Sequence, residues 1–322
     1  MKEVDFSEIG GIKVGHAQDF RAATGCTVVL CEEGAVAGVD VRGGSPGTRE
    51  TDALNPVNLR KSIHAVLLAG GSAFGLDAAA GVMQYLEERG VGRDVQVAKV
   101  PIVCGAILFD LKCGDWRVRP DQKMGYEACQ NAVAGGFPVG SVGAGTGATV
   151  GKVRGICHAM KGGFGSSCLR IGDLVVGAVM AVNCVGDVYD EKEHRVVAGM
   201  LSDDRKTVGG SETYMMEHYQ NKTDIFSGNT VIGAVATNAA LTKAEANKMA
   251  SVAQDGIARA VRPAHTSFDG DTIFTMATGR VRADPNAAGV LAVRAVESAI
   301  VCAVKSADPL AGVPACKDFF HP

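Results

Sequence analysis

The stretch "IFSGNTVIGAVATNA", Ile225 to Ala239, decides how the chain is read. A polar segment ends at Ser227-Gly228-Asn229, and Thr230 then opens a run of small and β-branched apolar residues. An apolar run of this kind, without alternation, predicts a strand covered on both faces. The same pattern recurs in "HAVLLAGG" (64–71) and "DTIFTMATG" (271–279), and "LVVGAVMAVNCVGDVYD" (174–190) reads as one long central strand. Residues 25–45 read as strands broken by a turn at Glu33-Gly34. Helical signals lie between these runs. "LDAAAGVMQYLEERG" (76–90) ends on Gly90, a C′ residue. Thr242 and Glu245 form a capping box ahead of a helix over 243–261, and Asp284-Pro285 places Pro at the first position of the last helix. Doubly buried strands alternating with helices predict an α/β layered fold. Residues 190–228 are polar with little periodicity and read as one long connection, the kind that is usually functional or mobile.

Bulk composition narrows the function classes. The 322 residues are 47% hydrophobic and 21% charged, enough for a large core. A net charge of −3 and the lack of a basic cluster with interleaved aromatics argue against a nucleic-acid partner. The ten cysteines include no C-x-x-C pair and mostly sit inside apolar runs, so zinc and redox readings fail. The N-terminal "MKEVDFSEIGG" has no apolar h-region, and no uninterrupted apolar run of membrane length is expected. The expectation is a reduced, soluble, cytoplasmic protein without a membrane partner. Glycine is the odd number, 42 residues concentrated in "AGGSAFG", "VGAGTGATVG" and "KGGFGSS". Such glycines supply special backbone angles and close approaches.

Several motifs fail on inspection. "GAGTGATVGKV" offers a lysine after a glycine-rich loop, but its first glycine is at the wrong offset, and Val153 stands where a Ser or Thr would hold magnesium. Ala148 replaces the third glycine of a dinucleotide fingerprint. No G-x-S-x-G elbow or H-E-x-x-H pair occurs, and the seven histidines are scattered. No cofactor and no metal is expected.

Thr230 offers a different chemistry. An internal threonine hydroxyl is a poor nucleophile, but a threonine at a chain terminus carries an α-amine of pKa about 7.7–8.0 as its own base. A cut before Thr230 would make that terminus; the alternative is a simple strand-capping threonine. Asp269 and Asp271 flank a glycine just before the 272–279 run. Carboxylates this close resist joint ionisation, so one would hold a proton or face a cation. Here the alternative is an ordinary Asp-Gly turn.

Together these pieces resemble the self-processing aminopeptidase and D-amino-acid esterase-amidase family, which includes β-aminopeptidases and nylon-oligomer endo-hydrolases. The resemblance rests on Asn-Thr before "VIGAVATNA", Asp-Gly-Asp-Thr before "IFTMAT", "GAGTGATVGK", "VNCVGD", the early "GGI" and "VGH", and "LAGGSAFGLDAAAGV". These run almost end to end and in family order. The resemblance implies a four-layer αββα sandwich shared with ornithine acetyltransferase. It also implies a single catalytic domain that cuts itself into residues 1–229 and 230–322, and dimers or tetramers of such paired chains. Residue by residue, it implies Thr230 as nucleophile, Asn229 as the residue before the cut, and Asn183 as a donor to the oxyanion, together with a loop backbone N–H. Lys152 matches a lysine beside the nucleophile in the nylon-hydrolase branch, and Asp269 with Asp271 match the acidic pair of that branch. In the β-aminopeptidase branch the pair is Ser and Glu and the nucleophile is Ser, and a Tyr stands near the place of Gly151. These departures favour the oligoamide-hydrolase side. The implied function is an amide hydrolase acting on short peptides, amino-acid amides or 6-aminohexanoate oligomers. An acyltransferase of the ornithine-acetyltransferase type is the alternative, although the chain lacks the Lys-Gly-Ala favoured before its threonine; a shell that kept the fold without activity is a third reading.

Overall fold

The computed structural model describes residues 1–220 and 228–320. Ile225, Phe226 and Ser227, the first residues of the stretch quoted above, therefore lie outside the described residues. The strands that build the molecule are β1 (Lys13–Asp19), β2 (Thr24–Val41), β3 (Ser62–Ala69), β4 (Val103–Ile107), β5 (Gly163–Ile171), β6 (Leu174–Asn183), β7 (Asp187–Asp190), β8 (Arg195–Ala198), β9 (Thr230–Ala239) and β10 (Thr272–Val281). The helices are α1 (Ala78–Glu88), α2 (Gln122–Gln130), α3 (Ser211–Glu217), α4 (Lys243–Ala260) and α5 (Pro285–Ser306).

The main strand path runs β5-β6-β9-β10-β2-β3-β4, with β1 also paired to β2. Neighbours are antiparallel except β9–β10 and β3–β4, which are parallel. β2 makes this one path into two facing sheets. Its first half pairs with β1 and β3, and its second half pairs with β10. Between them the β2–β3 register shifts from Leu30 to Ala35. Gly34, at φ 83°, sits in that irregularity. The turn expected at Glu33-Gly34 is thus a bulge that lets one strand change sheets.

Period-two alternation assigns each face. In β9, Val231 and Val235 pack toward α4 and α5, where Met249, Ile257, Leu291 and Ile300 lie. Ile232, Ala234 and Ala236 point the other way, into the layer between the sheets with Val29, Val66, Leu68, Phe164 and Phe274. On the far side, Val28 and Leu67 meet Ala79, Val82 and Leu86 of α1. The layers are therefore helix, sheet, sheet, helix, the four-layer αββα sandwich expected. The inner strands read as continuous apolar runs because both of their faces are covered.

Two expectations need correction. The 174–190 run is two strands, β6 and β7, separated after Asn183. The supposed long connection over 190–228 contains β8 and α3, and its residues 221–227 lie outside those described. The expectation that no uninterrupted apolar run reaches membrane length stands beside α5, which is long and apolar enough to cross a bilayer by length and composition alone. The helix carries Arg294 and Glu297, however, and buries Leu291, Val296 and Ile300 against the sheet.

Candidate active site

The parallel pairing of β9 with β10 sets Ile232 beside Thr272 and continues outward as a bridge between Asn229 and Asp269. The segment before β10 therefore runs alongside the 229–230 peptide. On the other side, antiparallel β6 places Asn183 directly opposite Thr230. Thr230 and Asn183 share the parity of residues facing the inter-sheet layer, so both side chains project between the sheets. Lys152 reaches the same point from a single turn, Lys152–Arg154. Backbone bonds from Gly151 N to Gly186 O and from Lys152 N to Val185 O, 2.9 Å each, tie that turn to the chain just past Asn183. Gly151 has φ 70°, and a Cβ there would lie 2.0 Å from backbone atoms of Gly199 and Met200. Only glycine fits.

All the residues singled out from the sequence converge here, and all are buried: Asn183 and Asn229 are 0% exposed, Asp269 and Asp271 1%, Lys152 and Thr230 4%. Lys152 Nζ donates to the backbone oxygen and to Oδ1 of Asn183, both at 2.8 Å. Burial lowers its pKa to about 7, with the Asp269 charge pulling back upward. The Asn183 amide donates through Nδ2 to the carbonyls of Phe109 and Gly228, 3.1 Å each. Thr149 N donates to Asn183 Oδ1 at 3.0 Å. The Thr230 hydroxyl lies against the carbonyl oxygen of Asn229, and Gly270 N donates to that same oxygen at 2.9 Å.

The two carboxylates have different surroundings. Asp271 Oδ1 accepts from Val231 N at 2.7 Å, and its Oδ2 meets His265 Nδ1 at 2.8 Å. Asp269 Oδ2 accepts from Thr266 N at 2.8 Å and from Thr266 Oγ1 at 2.6 Å. Its Oδ1 is buried without a partner among the described residues. Burial, and then the charge of Asp271, raise the Asp269 pKa to about 6. The pair also forms a turn held by the 42–45 segment, with Ser45 N donating to Asp269 O and Arg42 N to Asp271 O. The turn reading and the acidic-pair reading describe one loop.

His265, Thr266 and Gly270 were not singled out from the sequence, although they stand within five residues of Asp269 in "HTSFDGD". Asp187 was missed as well. It accepts from Met200 N at 2.8 Å, Ser211 N at 2.8 Å and Ser211 Oγ at 2.6 Å. Through Ser211 it fixes α3, whose Tyr214 and Met215 pack on Val153, next to Lys152.

Comparison with known proteins agrees with this architecture. The model of Peptidase family S58 matches residues 5–316. The chain is 42% identical to an uncharacterized aminopeptidase of Mycobacterium leprae, over 96% of this chain and 92% of that one. It is 33% identical to a 6-aminohexanoate-oligomer endohydrolase of Paenarthrobacter ureafaciens, over 84% and 74% respectively. Among solved structures, the L-aminopeptidase D-Ala-esterase/amidase of Ochrobactrum anthropi superposes with a TM-score of 0.70, at 16% identity over 94% of this chain and 86% of its own. A β-aminopeptidase of Burkholderia sp. superposes at 0.66, at 19% identity over 97% and 90%. With a family model spanning nearly the whole chain and close relatives of matching length, the chain belongs to peptidase family S58 and is an amide-bond hydrolase.

Proposed function

We propose that the protein is a self-activating amide hydrolase whose nucleophile is Thr230, exposed as a new N-terminus by a cut after Asn229. The observation that carries the reading is the seat of Lys152. A neutral amine has two N–H bonds and one lone pair, and two oxygens of Asn183 accept from Nζ. The lone pair is left to take a proton, and Thr230 is the residue paired with Asn183 across the sheet. An ordinary lysine is neutral in fewer than about one molecule in a thousand at pH 7. One whose pKa is lowered to about 7 is neutral in a large share.

Lys152 Nζ takes the Thr230 hydroxyl proton, and Oγ1 attacks the Asn229 carbonyl carbon. The C–N bond breaks as the leaving nitrogen takes the proton back from Lys152, which leaves an ester between Asn229 and Thr230. Water then hydrolyses the ester, giving the Asn229 carboxylate and a free Thr230 amine. The same hydroxyl next attacks external amides, with Lys152 or the new amine as base. Asp271, bonded to Val231 N, and Asp269, with its unpartnered Oδ1, flank the position of that amine.

The substrates proposed are short peptides, amino-acid amides and 6-aminohexanoate oligomers; the match of the aspartate pair and the lysine to the oligoamide-hydrolase branch supports that choice. A panel of amino-acid p-nitroanilides and 6-aminohexanoate oligomers, run with the parent and with Thr230→Ala, tests the reading. The parent is expected to release product and Thr230→Ala none. Equal activity of the two removes Thr230 from the chemistry, and transfer of acyl groups from acyl-ornithine in place of hydrolysis favours the acyltransferase.

A further inference from the structure

We propose that the Asn229–Thr230 bond is cut with the backbone N–H of Gly270 holding the carbonyl oxygen, and that the Asn183 amide becomes available to external substrates only when Gly228 leaves. This rests on Thr230 as nucleophile and assigns the donors its two reactions use.

The carbonyl to be cut is already held. Gly270 N lies 2.9 Å from Asn229 O, and Asn229 N donates to Phe268 O at 3.3 Å, so both ends of the residue are fixed to the strand entering β10. A preorganised donor near the place where the oxyanion will form stabilises it, and this N–H is already aimed at the oxygen that takes the charge. Asn183 cannot serve that oxygen as well. A side-chain amide has two N–H bonds, and those of Asn183 point at the carbonyls of Phe109 and Gly228. Its orientation is fixed from the other end, where Oδ1 accepts from Lys152 Nζ and Thr149 N. The Gly228 carbonyl lies one peptide upstream of the bond that breaks. Once the ester is hydrolysed, residues up to Asn229 are a tail rather than a link, and its departure frees one N–H of Asn183 beside Thr230. Gly228 acts until then as a plug. Gly228 is seated closely enough that a Cβ there would lie 2.3 Å from Cβ of Phe109.

The two reactions are therefore expected to respond differently to the same substitutions. Asn183→Asp keeps an oxygen for Lys152 and Thr149 but removes both N–H bonds. The cut is followed on denaturing gels, and p-nitroanilide turnover is normalised to the cut fraction. Both rates are read at their high-pH plateau, so that the added carboxylate's effect on Lys152 drops out. Turnover per cut molecule is expected to fall by about 10²–10³-fold more than the cut does, the usual loss for one oxyanion donor. Gly270→Ala and Gly270→Pro form the second pair. A Cβ at this position lies 2.7 Å from Ser45 O and 3.0 Å from Thr230 Oγ1, so both variants carry that crowding, and only Pro lacks the N–H. The Pro variant is expected to cut at least about 10²-fold more slowly than the Ala variant.

An Asn183→Asp chain that loses the cut as completely as turnover overturns the proposal, and so do equal cutting rates for folded Ala and Pro variants. If melting shows either Gly270 variant unfolded, the Asn183 arm decides alone. Failure of the underlying reading shows elsewhere: the parent never cuts, or Thr230→Ala still does.

Discussion

At the scale of single residues, the account turns on Lys152. Burial lowers its pKa to about 7, while the Asp269 charge nearby favours the ammonium and Lys112 opposes it. Proton uptake needs the neutral amine, so the cutting rate is expected to rise with pH through about 7 and to level off about one unit above it. Lys152→Arg should not cut at any pH below 10, because a guanidinium stays protonated and its planar fork does not match an ammonium seat. Stopped incubations of both proteins between pH 5 and 9, read on denaturing gels, check this. A flat parent profile removes Lys152 as the base. Thr230 and the two aspartates drew notice in the sequence by their positions before apolar runs, Lys152 and Asn183 through the family resemblance, and the structure gathers all five side chains in one buried place. His265, Thr266 and Gly270 were not legible there, because their roles come from the loop folding back on Asp271, Asp269 and Asn229. No spacing rule announces such contacts.

At the scale of elements, two devices hold the lysine. The first is Gly151, whose φ of 70° starts the turn of Lys152. Gly151→Ala adds about 1–2 kcal/mol of left-handed strain. It also drives a Cβ to 2.0 Å from the 199–200 backbone. A lower melting temperature and a cut slowed by at least about tenfold are expected, and a parent-like rate would show that the turn does not position Lys152. The second is the carboxylate of Asp187, which anchors α3 through Ser211. Asp187→Ala leaves the buried N–H groups of Met200 and Ser211 unpaired, at about 1–3 kcal/mol each. A drop of several kcal/mol in urea unfolding is expected, recovered in part by Asp187→Asn. The capping box of α4 and Pro285 of α5 were readable because caps are local. The break between β6 and β7 and the bulge in β2 were not, because each answers to a partner strand far along the chain.

At the scale of the whole molecule, four layers bring the ends of β6, β9 and β10 to one point on the inter-sheet layer. The αββα arrangement was legible from doubly apolar strands alternating with helices, together with the family resemblance. The path of β2 through both sheets was not, because its sequence looks like two strands and a turn. On the proposed reading the 229–230 peptide has a donor in Gly270, a base in Lys152 and a nucleophile in Thr230 before any substrate arrives, and the bond breaks unaided. The direct measurement is the intact mass of the purified protein during incubation at pH 8 without protease, followed by N-terminal sequencing of the smaller product. The account predicts conversion of the 33.2 kDa chain into two pieces, the smaller beginning Thr230-Val231-Ile232. A chain that remains whole after prolonged incubation, or a small piece that begins at any other residue, would contradict it.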